Sequence, residues 1–369
     1  MNVVIIGCGV VGAAIAYQLS LVKGLNITVF DQQPPAKAST GAALGVLMGV
    51  ISHKIKGKAW QMRQTSIQRY ETLIPELEAL TGRQIPFNRQ GILSLSLEDE
   101  DLAPWEKLGE IRQSQGWQLE IWDAAKLKNI CPQVNNAKIT GAVYSPQDRQ
   151  LDPTALTLAL VEAAQHNGVT FKFGVTVLDA QTPEISPQLQ TIETTEGKIT
   201  ADWFIVAAGL GSTPLTAKLN HKIDIRPVLG QALHLSLGHP LGNPDFQPAI
   251  TGNDVHIVPC SAGILPATDY WVGATVEFPI NGDEIPPDQE LLESLRKQAI
   301  AFCPELATAT IIRTWSGLRP RPEGRPAPVI GKLPGFSNVL LATGHYRNGV
   351  LLAPATAYAI LEMIIPQDS

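Results

Sequence analysis

The stretch that most constrains this chain is its first 31 residues. Val3-Val-Ile-Ile6 is wholly apolar and runs directly into Gly7-Cys-Gly9-Val10-Val11-Gly12. The apolar run reads as a short buried strand, Ala13 to Lys23 as a helix, and Asn26 to Phe30 as a second buried strand ending in Asp31. A tight strand-to-helix turn needs Gly7. Close approach of a pyrophosphate to the backbone needs Gly9, and close packing of helix on strand needs Gly12. The helix start offers free N–H groups and its positive dipole end to phosphates. Asp31, about 20 residues past the turn, suits a carboxylate that binds a ribose diol. Strand, helix, strand and acid in register predict a dinucleotide site, with NAD and FAD both open.

With 369 residues the chain has room for about two domains. A formal charge of −6 without any basic cluster argues against nucleic acid or an anionic membrane surface as partner. The cysteines, Cys8, Cys131, Cys260 and Cys303, form no CxxC pair, which predicts a reduced cytoplasmic protein. A signal peptide finds no room ahead of Val3. Val350 to Ile365 approaches a membrane span but falls short of the roughly 20 residues required. Pro354 and Glu362 interrupt it, so a buried helix is expected. The histidines are scattered without zinc-ligand spacing, and no metal site is expected.

Further along, Ser39-Thr40-Gly-Ala-Ala-Leu44-Gly45 predicts a helix capped by Ser39 or Thr40, with small residues that let a flat group pass close to the backbone. Gly57 to Leu80 predicts a long amphipathic helix with Trp60, Ile67, Tyr70, Ile74, Leu77 and Leu80 on its buried stripe, kinked at Pro75 and ended by Gly82. Leu93, Leu95 and Leu97 alternate with Ser94 and Ser96, the pattern of a half-buried antiparallel strand. A polar helix is expected around Asp99 to Gln115, a helix opened by Asp152-Pro153 up to His166, and buried strands at Trp203 to Gly209 and Val339 to Gly344. Antiparallel alternation returns between Ile223 and Arg319. The layout predicts α/β architecture with an added antiparallel sheet. A discontinuous Rossmann-like cofactor domain is expected in residues 1–84, 143–221 and 325–369, and a substrate domain in 85–142 and 222–324. Because an NAD dehydrogenase usually keeps its nucleotide fold contiguous, the interruption favours FAD.

Two arginines are candidates for chemistry. Arg319 lies in Thr314-Trp-Ser-Gly-Leu-Arg319-Pro, where a strand is expected to end. Arg347 lies in Gly344-His345-Tyr346-Arg347-Asn348-Gly349, between a buried strand and the last helix. A planar fork of donors binds a carboxylate bidentately, which an ammonium does not. A surface ion pair or a loop-bracing arginine fits the same spacing.

These stretches together resemble the D-amino-acid-oxidase superfamily of flavoproteins. The motifs are the amino-terminal GxGxxG, Ser39 to Gly45, Ile205-Val-Ala-Ala-Gly209, Trp315 to Arg319 and Gly344 to Leu352. Within the superfamily the chain is most similar to the glycine oxidases of the thiamine-thiazole pathway, over residues 3 to about 363. The resemblance implies FAD with its pyrophosphate over Gly7, Gly9, Val10, Val11 and Gly12 and its ribose at Asp31 and Gln32. Ser39, Thr40, Leu44, Gly45 and Val46 would line the flavin, with Val175 near the adenine end and Gly209 in the adjoining motif. The backbone of Gly344, His345, Tyr346, Arg347, Asn348, Gly349, Val350 and Leu351 would meet the ring.

The implied reaction is oxidation of the amine of glycine, sarcosine or a small D-amino acid to an imine. The hydride would go to the flavin, and oxygen would accept the electrons to give hydrogen peroxide. Arg319 would clamp the substrate carboxylate, Arg347 would sit beside the flavin, and no protein base is required. A D-amino-acid dehydrogenase serving a quinone or carrier, and an inert flavoprotein subunit, are the alternatives; homo-oligomerisation is left open. At Val255-His256-Ile-Val-Pro259 the chain departs from the family, which usually carries a tyrosine where His256 stands. If His256 faces the substrate, its protonated form would help hold a carboxylate, and affinity is then expected to weaken as pH rises through neutrality; a satisfied core histidine pointing away is the alternative. The sarcosine-oxidase branch holds its flavin on a cysteine near the carboxy terminus. Here the last cysteine is Cys303, so non-covalent FAD is expected.

Overall fold

The computed structural model describes residues 1–98, 100–181, 187–260, 267–279 and 285–365. A six-stranded sheet runs in the order Val329–Lys332, Val339–Thr343, Trp203–Val206, Asn2–Ile6, Asn26–Asp31 and Thr170–Phe173. Its pairings are parallel except at the Val329–Lys332 edge. Both faces of its central strands are covered, which is why residues 3–6, 204–206 and 339–342 are apolar runs. Val3 and Ile5 face a helical layer formed by Val10–Ser20, Gly57–Thr81, Pro153–His166 and Gly349–Ile364. Val4 and Ile6 face a small meander of Val177–Gln181, Thr191–Thr194 and Gly197–Thr200. Each large aliphatic side chain moved from water into these layers contributes about 1.5–3 kcal/mol.

The second sheet has eight strands in the order Thr310–Pro322, Ile225–Ser236, Asp269–Gly273, Val255–Pro259, Ala249–Gly252, Ile92–Leu97, Ile139–Ser145 and Glu120–Asp123. One face packs under the Gln289–Phe302 and Ala124–Ile130 helices through Leu93, Leu95, Leu233, Leu235, Ile257 and Val272. The opposite face carries Ala232, Val258, Trp271 and Trp315 towards Leu44. The candidate residues His256 and Arg319 stand on that face.

Local details differ from the sequence expectations for physical reasons. The first helix runs Val10–Ser20 and opens earlier than Ala13, because Gly9 already serves as its N-cap. Gly57–Thr81 ends on Gly82 at φ 70°, but Leu80 is solvent-exposed, one turn beyond the packed stripe. In the Ile92–Leu97 strand Ser96 is buried and Leu97 half-buried, where the pairing with Ile139–Ser145 shifts register between these two residues. The polar helix spans Ala103–Ser114, and Asp99 lies outside the described residues. Asp152 caps Pro153–His166 through the N–H groups of Thr154 and Ala155, as its Asp-Pro start predicts. Arg319 lies inside the Thr310–Pro322 strand, not at its end, because pairing with Ile225–Ser236 continues to Pro322.

Candidate active site

The glycine turn is built by contact. A side chain at Gly12 would place Cβ 1.9 Å from the Gly7 carbonyl oxygen, and Gly7 itself holds φ 108° with the Ala207 carbonyl 2.5 Å from where a Cβ would stand. Strand, turn and helix therefore close only with glycine at both positions. Asp31 closes the turn from the other side. Its Oδ2 accepts from the Cys8 N–H at 2.6 Å and its Oδ1 from the Gln33 N–H at 2.9 Å. Val175 donates its N–H to the Asp31 carbonyl, which brings these two predicted residues side by side, and Gln32 beside them is exposed. The side chains of Val10 and Val11 are buried in the helical layer, so only backbone of these two residues is available to a ligand, and the Val10 N–H is already donated to Thr40 Oγ1. This open, glycine-floored helix start fits a pyrophosphate, and Asp31 keeps lone pairs for a ribose hydroxyl.

Ser39 and Thr40 do not cap their own helix. The Ser39–Ala42 turn has Ala38 as its N-cap. Thr40 Oγ1 instead accepts from the Val10 N–H at 3.0 Å, and Ser39 Oγ donates to the Leu318 carbonyl at 2.6 Å. Trp315 Nε1 adds a bond to the Ala42 carbonyl at 3.1 Å. One helical turn thus ties the glycine cradle to the strand that carries Arg319. Gly45, at φ 72°, passes so close to the Leu151 carbonyl that no side chain fits there. Leu44 is buried against Ala232 and Val258.

Arg319 is half-buried. Its Nη1 donates to the carbonyls of Leu229 at 3.1 Å and Thr275 at 2.9 Å. Neither its Nε nor its Nη2 has a hydrogen bond or ion pair to a described residue. Burial holds its pKa below the ordinary arginine value, and the nearby Arg347 adds to that shift. Glu277 acts on Arg319 at longer range, with its oxygens already taken by Gln231, Thr275 and the Asp288 N–H.

Arg347 leaves the Tyr346–Asn348 turn at the start of the final helix and pairs with Asp254 at 3.0 Å. Burial opposes its charge, but the hydrogen bond and charge of Asp254 hold its pKa above the usual value. Both side chains of the pair are substantially exposed, at 39% and 69%, so the bridge is worth about 0–1 kcal/mol and yields readily to another anion. Tyr346 holds φ 54°, a left-handed conformation that costs a non-glycine residue about 1–2 kcal/mol. Gly344 takes φ 64°, where it passes close to Ile225 and Pro322.

His256 and Arg347 line one cavity of about 820 Å³, together with Val46, Met48, Ser94, Thr251, Asp254 and Asn348. The His256 Nδ1 is buried without a hydrogen-bond partner among the described residues. Burial pulls its pKa down to about 4, opposed by Asp254 and reinforced by Arg347 and Arg319. A pKa in that range keeps the imidazole neutral at neutral pH, against the loss of affinity expected on its titration. His256, Arg319 and Arg347 come from three separate elements and share one electrostatic neighbourhood.

Other predicted residues face elsewhere. His345 is buried and its Nε2 meets Thr356 Oγ1 at 3.0 Å, so this side chain supports the final helix. Val350 and Leu351 are packed in the helical layer, and Gly349 opens that helix. Gly209, at φ 55°, accepts from Thr343 Oγ1 at 3.2 Å. Asp254 was missed by the sequence reading. Its signal is the Asn253-Asp254 pair, both at positive φ, which forms the two-residue turn between the Ala249–Gly252 and Val255–Pro259 strands.

Among the described residues no group of histidine, cysteine and acidic side chains could hold a metal ion, and all four cysteines are free thiols. Nor is any described helix long and apolar enough to cross a membrane.

The geometry agrees with comparisons to known proteins. The chain is 32% identical over 371 residues to the bifunctional protein ThiO/ThiG of Synechocystis, covering 99% of this chain and 52% of that protein. It thus spans about half the length of such bifunctional relatives. It is 29% identical to the glycine oxidase of Bacillus subtilis, covering 99% of this chain and 93% of the relative. The crystal structure of glycine oxidase from Geobacillus kaustophilus superposes with a TM-score of 0.88 at 24% identity, covering 100% of this chain and 95% of that one. The fold is that of a flavoprotein with a Rossmann-like sheet and a second sheet that is antiparallel except where Ala249–Gly252 pairs with Ile92–Leu97. The family model described as FAD dependent oxidoreductase matches residues 2–363, and the chain belongs to that family, with FAD as its cofactor.

Proposed function

We propose that the protein oxidises the amine of a small amino acid, glycine, sarcosine or a small D-amino acid, to the imine, with oxygen as acceptor. The observation that carries this reading is the half-buried Arg319, which has no carboxylate partner among the described residues and stands in the same electrostatic neighbourhood as Arg347 and His256. A guanidinium taken out of water without a counter-ion asks for an anionic ligand. Arg319 holds the substrate carboxylate through Nε and Nη2. Arg347 exchanges its weak bridge to Asp254 for the same carboxylate or its neighbour. A neutral His256 contributes a hydrogen bond and no charge.

The Gly7 to Gly12 turn would hold FAD without a covalent link, and the cofactor would supply the redox chemistry as hydride acceptor. The protein's part is to fix the α-carbon and exclude competing poses. The residues held for this are Arg319, Arg347 and His256 for substrate, with the glycine turn, Asp31 and the Ser39–Val46 segment for cofactor. Residues 85–142 and 222–324 form the substrate-binding part.

The test is a panel of small amines and amino acids under air with peroxide detection, repeated anaerobically with a dye acceptor. Glycine, sarcosine or a small D-amino acid is expected to bleach the flavin and produce peroxide. Bleaching with dye reduction but no peroxide would assign a carrier instead of oxygen. No bleaching with any amine would end the proposal.

A further inference from the structure

Gly230 stands directly against the Arg319 guanidinium. A Cβ built there would lie 2.4 Å from Nη1, 2.4 Å from Nη2 and 2.5 Å from Cζ. Gly230 sits inside the Ile225–Ser236 strand, opposite Gly317. Its φ is not in the left-handed range, so backbone conformation does not call for glycine. A glycine inside a strand weakens it and often marks a close approach; here the approaching group is the guanidinium.

The walls of this seat are tied down. Gln231 donates its N–H to Thr275 Oγ1 at 2.8 Å, and the Thr275 N–H returns to the Gln231 carbonyl at 3.2 Å. Leu229 and Glu277 exchange backbone hydrogen bonds, each of 2.9 Å. The two carbonyls that hold Arg319 Nη1, those of Leu229 and Thr275, belong to this braced pair of segments. Backbone cannot easily retreat from an added methyl group, whereas the end of an arginine side chain can swing aside.

We infer that Gly230 is a positioning residue for substrate binding: its missing side chain is the space in which the Arg319 guanidinium lies, with its Nε and Nη2 edge held in one place. The inference rests on the reading of Arg319 as the carboxylate clamp. It leads to an unusual expectation, a substitution that fold and cofactor tolerate but carboxylate binding does not.

The experiment titrates holoenzyme with acetate, a carboxylate that lacks an amine to oxidise, and follows the flavin absorbance. Four proteins are compared: parent, Gly230→Ala, Arg319→Ala and the double variant. Gly230→Ala is expected to weaken acetate binding about tenfold or more, the loss of a hydrogen bond to a charged group. KM for the substrate identified by the panel should rise more than kcat falls. In the Arg319→Ala background the added methyl group meets no guanidinium, so it should leave melting temperature and FAD retention unchanged.

Gly230→Ala binding acetate as tightly as the parent, while Arg319→Ala does not, overturns the inference and spares the clamp. Arg319→Ala keeping acetate affinity removes the clamp itself and the inference with it. A melting-temperature loss from Gly230→Ala that is equal with and without Arg319 also overturns the inference, since it would report a general packing defect.

Discussion

Arg319 and His256 lie in one neighbourhood but answer to different physics. Removing Arg319 deletes a desolvated cation, and Arg319→Ala should weaken apparent substrate binding by about 3 kcal/mol, the lower range for a broken buried charge pair. That exceeds a hundredfold at about 1.4 kcal/mol per decade, read as KM or as the acetate dissociation constant. Arg319→Lys should recover part of it, because a point charge replaces a fork. The titration of His256 acts on stability. Its pKa of about 4 in the folded chain lies below the unfolded value of about 6.5. Between those values the unfolded chain binds the extra proton, so stability rises with pH across that window and is lost as pH falls through it. His345, also pulled down to about 4 by burial, adds in the same direction. Denaturant unfolding of His256→Phe should show a shallower stability loss between about pH 6.5 and 4. Above neutrality, carboxylate affinity should show no step attributable to His256.

Among the elements, the Ser39–Ala42 turn links the two halves of the site. Thr40→Val removes the acceptor for the Val10 N–H and should cost about 1–3 kcal/mol for the orphaned donor, seen as faster FAD dissociation. Ser39→Ala, which frees the Leu318 carbonyl next to Arg319, should act on substrate affinity more than on FAD. The loop after Met48 is held differently. Asp148 is fully buried and accepts from the N–H groups of Gly49, Val50 and Ile51 at 2.7–2.8 Å. Arg112, stacked 3.7 Å over Trp60, donates to the carbonyls of Val50, Ser52 and Lys54. Asp148→Ala orphans three donors and should destabilise the fold by about 3 kcal/mol or more, measured as a lowered denaturant midpoint. Because Met48 lines the cavity, substrate affinity should fall with it.

Across the whole molecule, FAD in the proposed site would join parts that are far apart in the chain, the residue 7–12 turn, the residue 39–46 segment and the residue 344–351 loop. No cysteine stands in these three segments apart from Cys8, which is fully buried within the turn. Acid precipitation should therefore release free FAD and leave a colourless pellet. Yellow protein in the pellet would contradict non-covalent binding.

The local elements were legible in the sequence because their causes are local. Apolar runs predict strands buried on both faces, Asp152 before Pro153 predicts a capped helix, and the glycine spacing predicts a turn that only glycine can close. The motifs around Arg319 and Arg347 were legible as candidates for the same reason. Their meaning depended on contacts made across long stretches of chain. Whether Ser39 and Thr40 cap their own helix or reach to Leu318 and Val10 depends on what packs beside them. Whether His256 carries a charge depends on burial beside two arginines from other elements. That Gly230 leaves space for Arg319 depends on a register between strands some 90 residues apart. Sequence by itself determined the elements and the glycine turn, because hydrogen bonding and chain conformation act between near neighbours. Tertiary structure alone decided charge states and partners in the site, because desolvation and electrostatics depend on every group brought within a few ångströms.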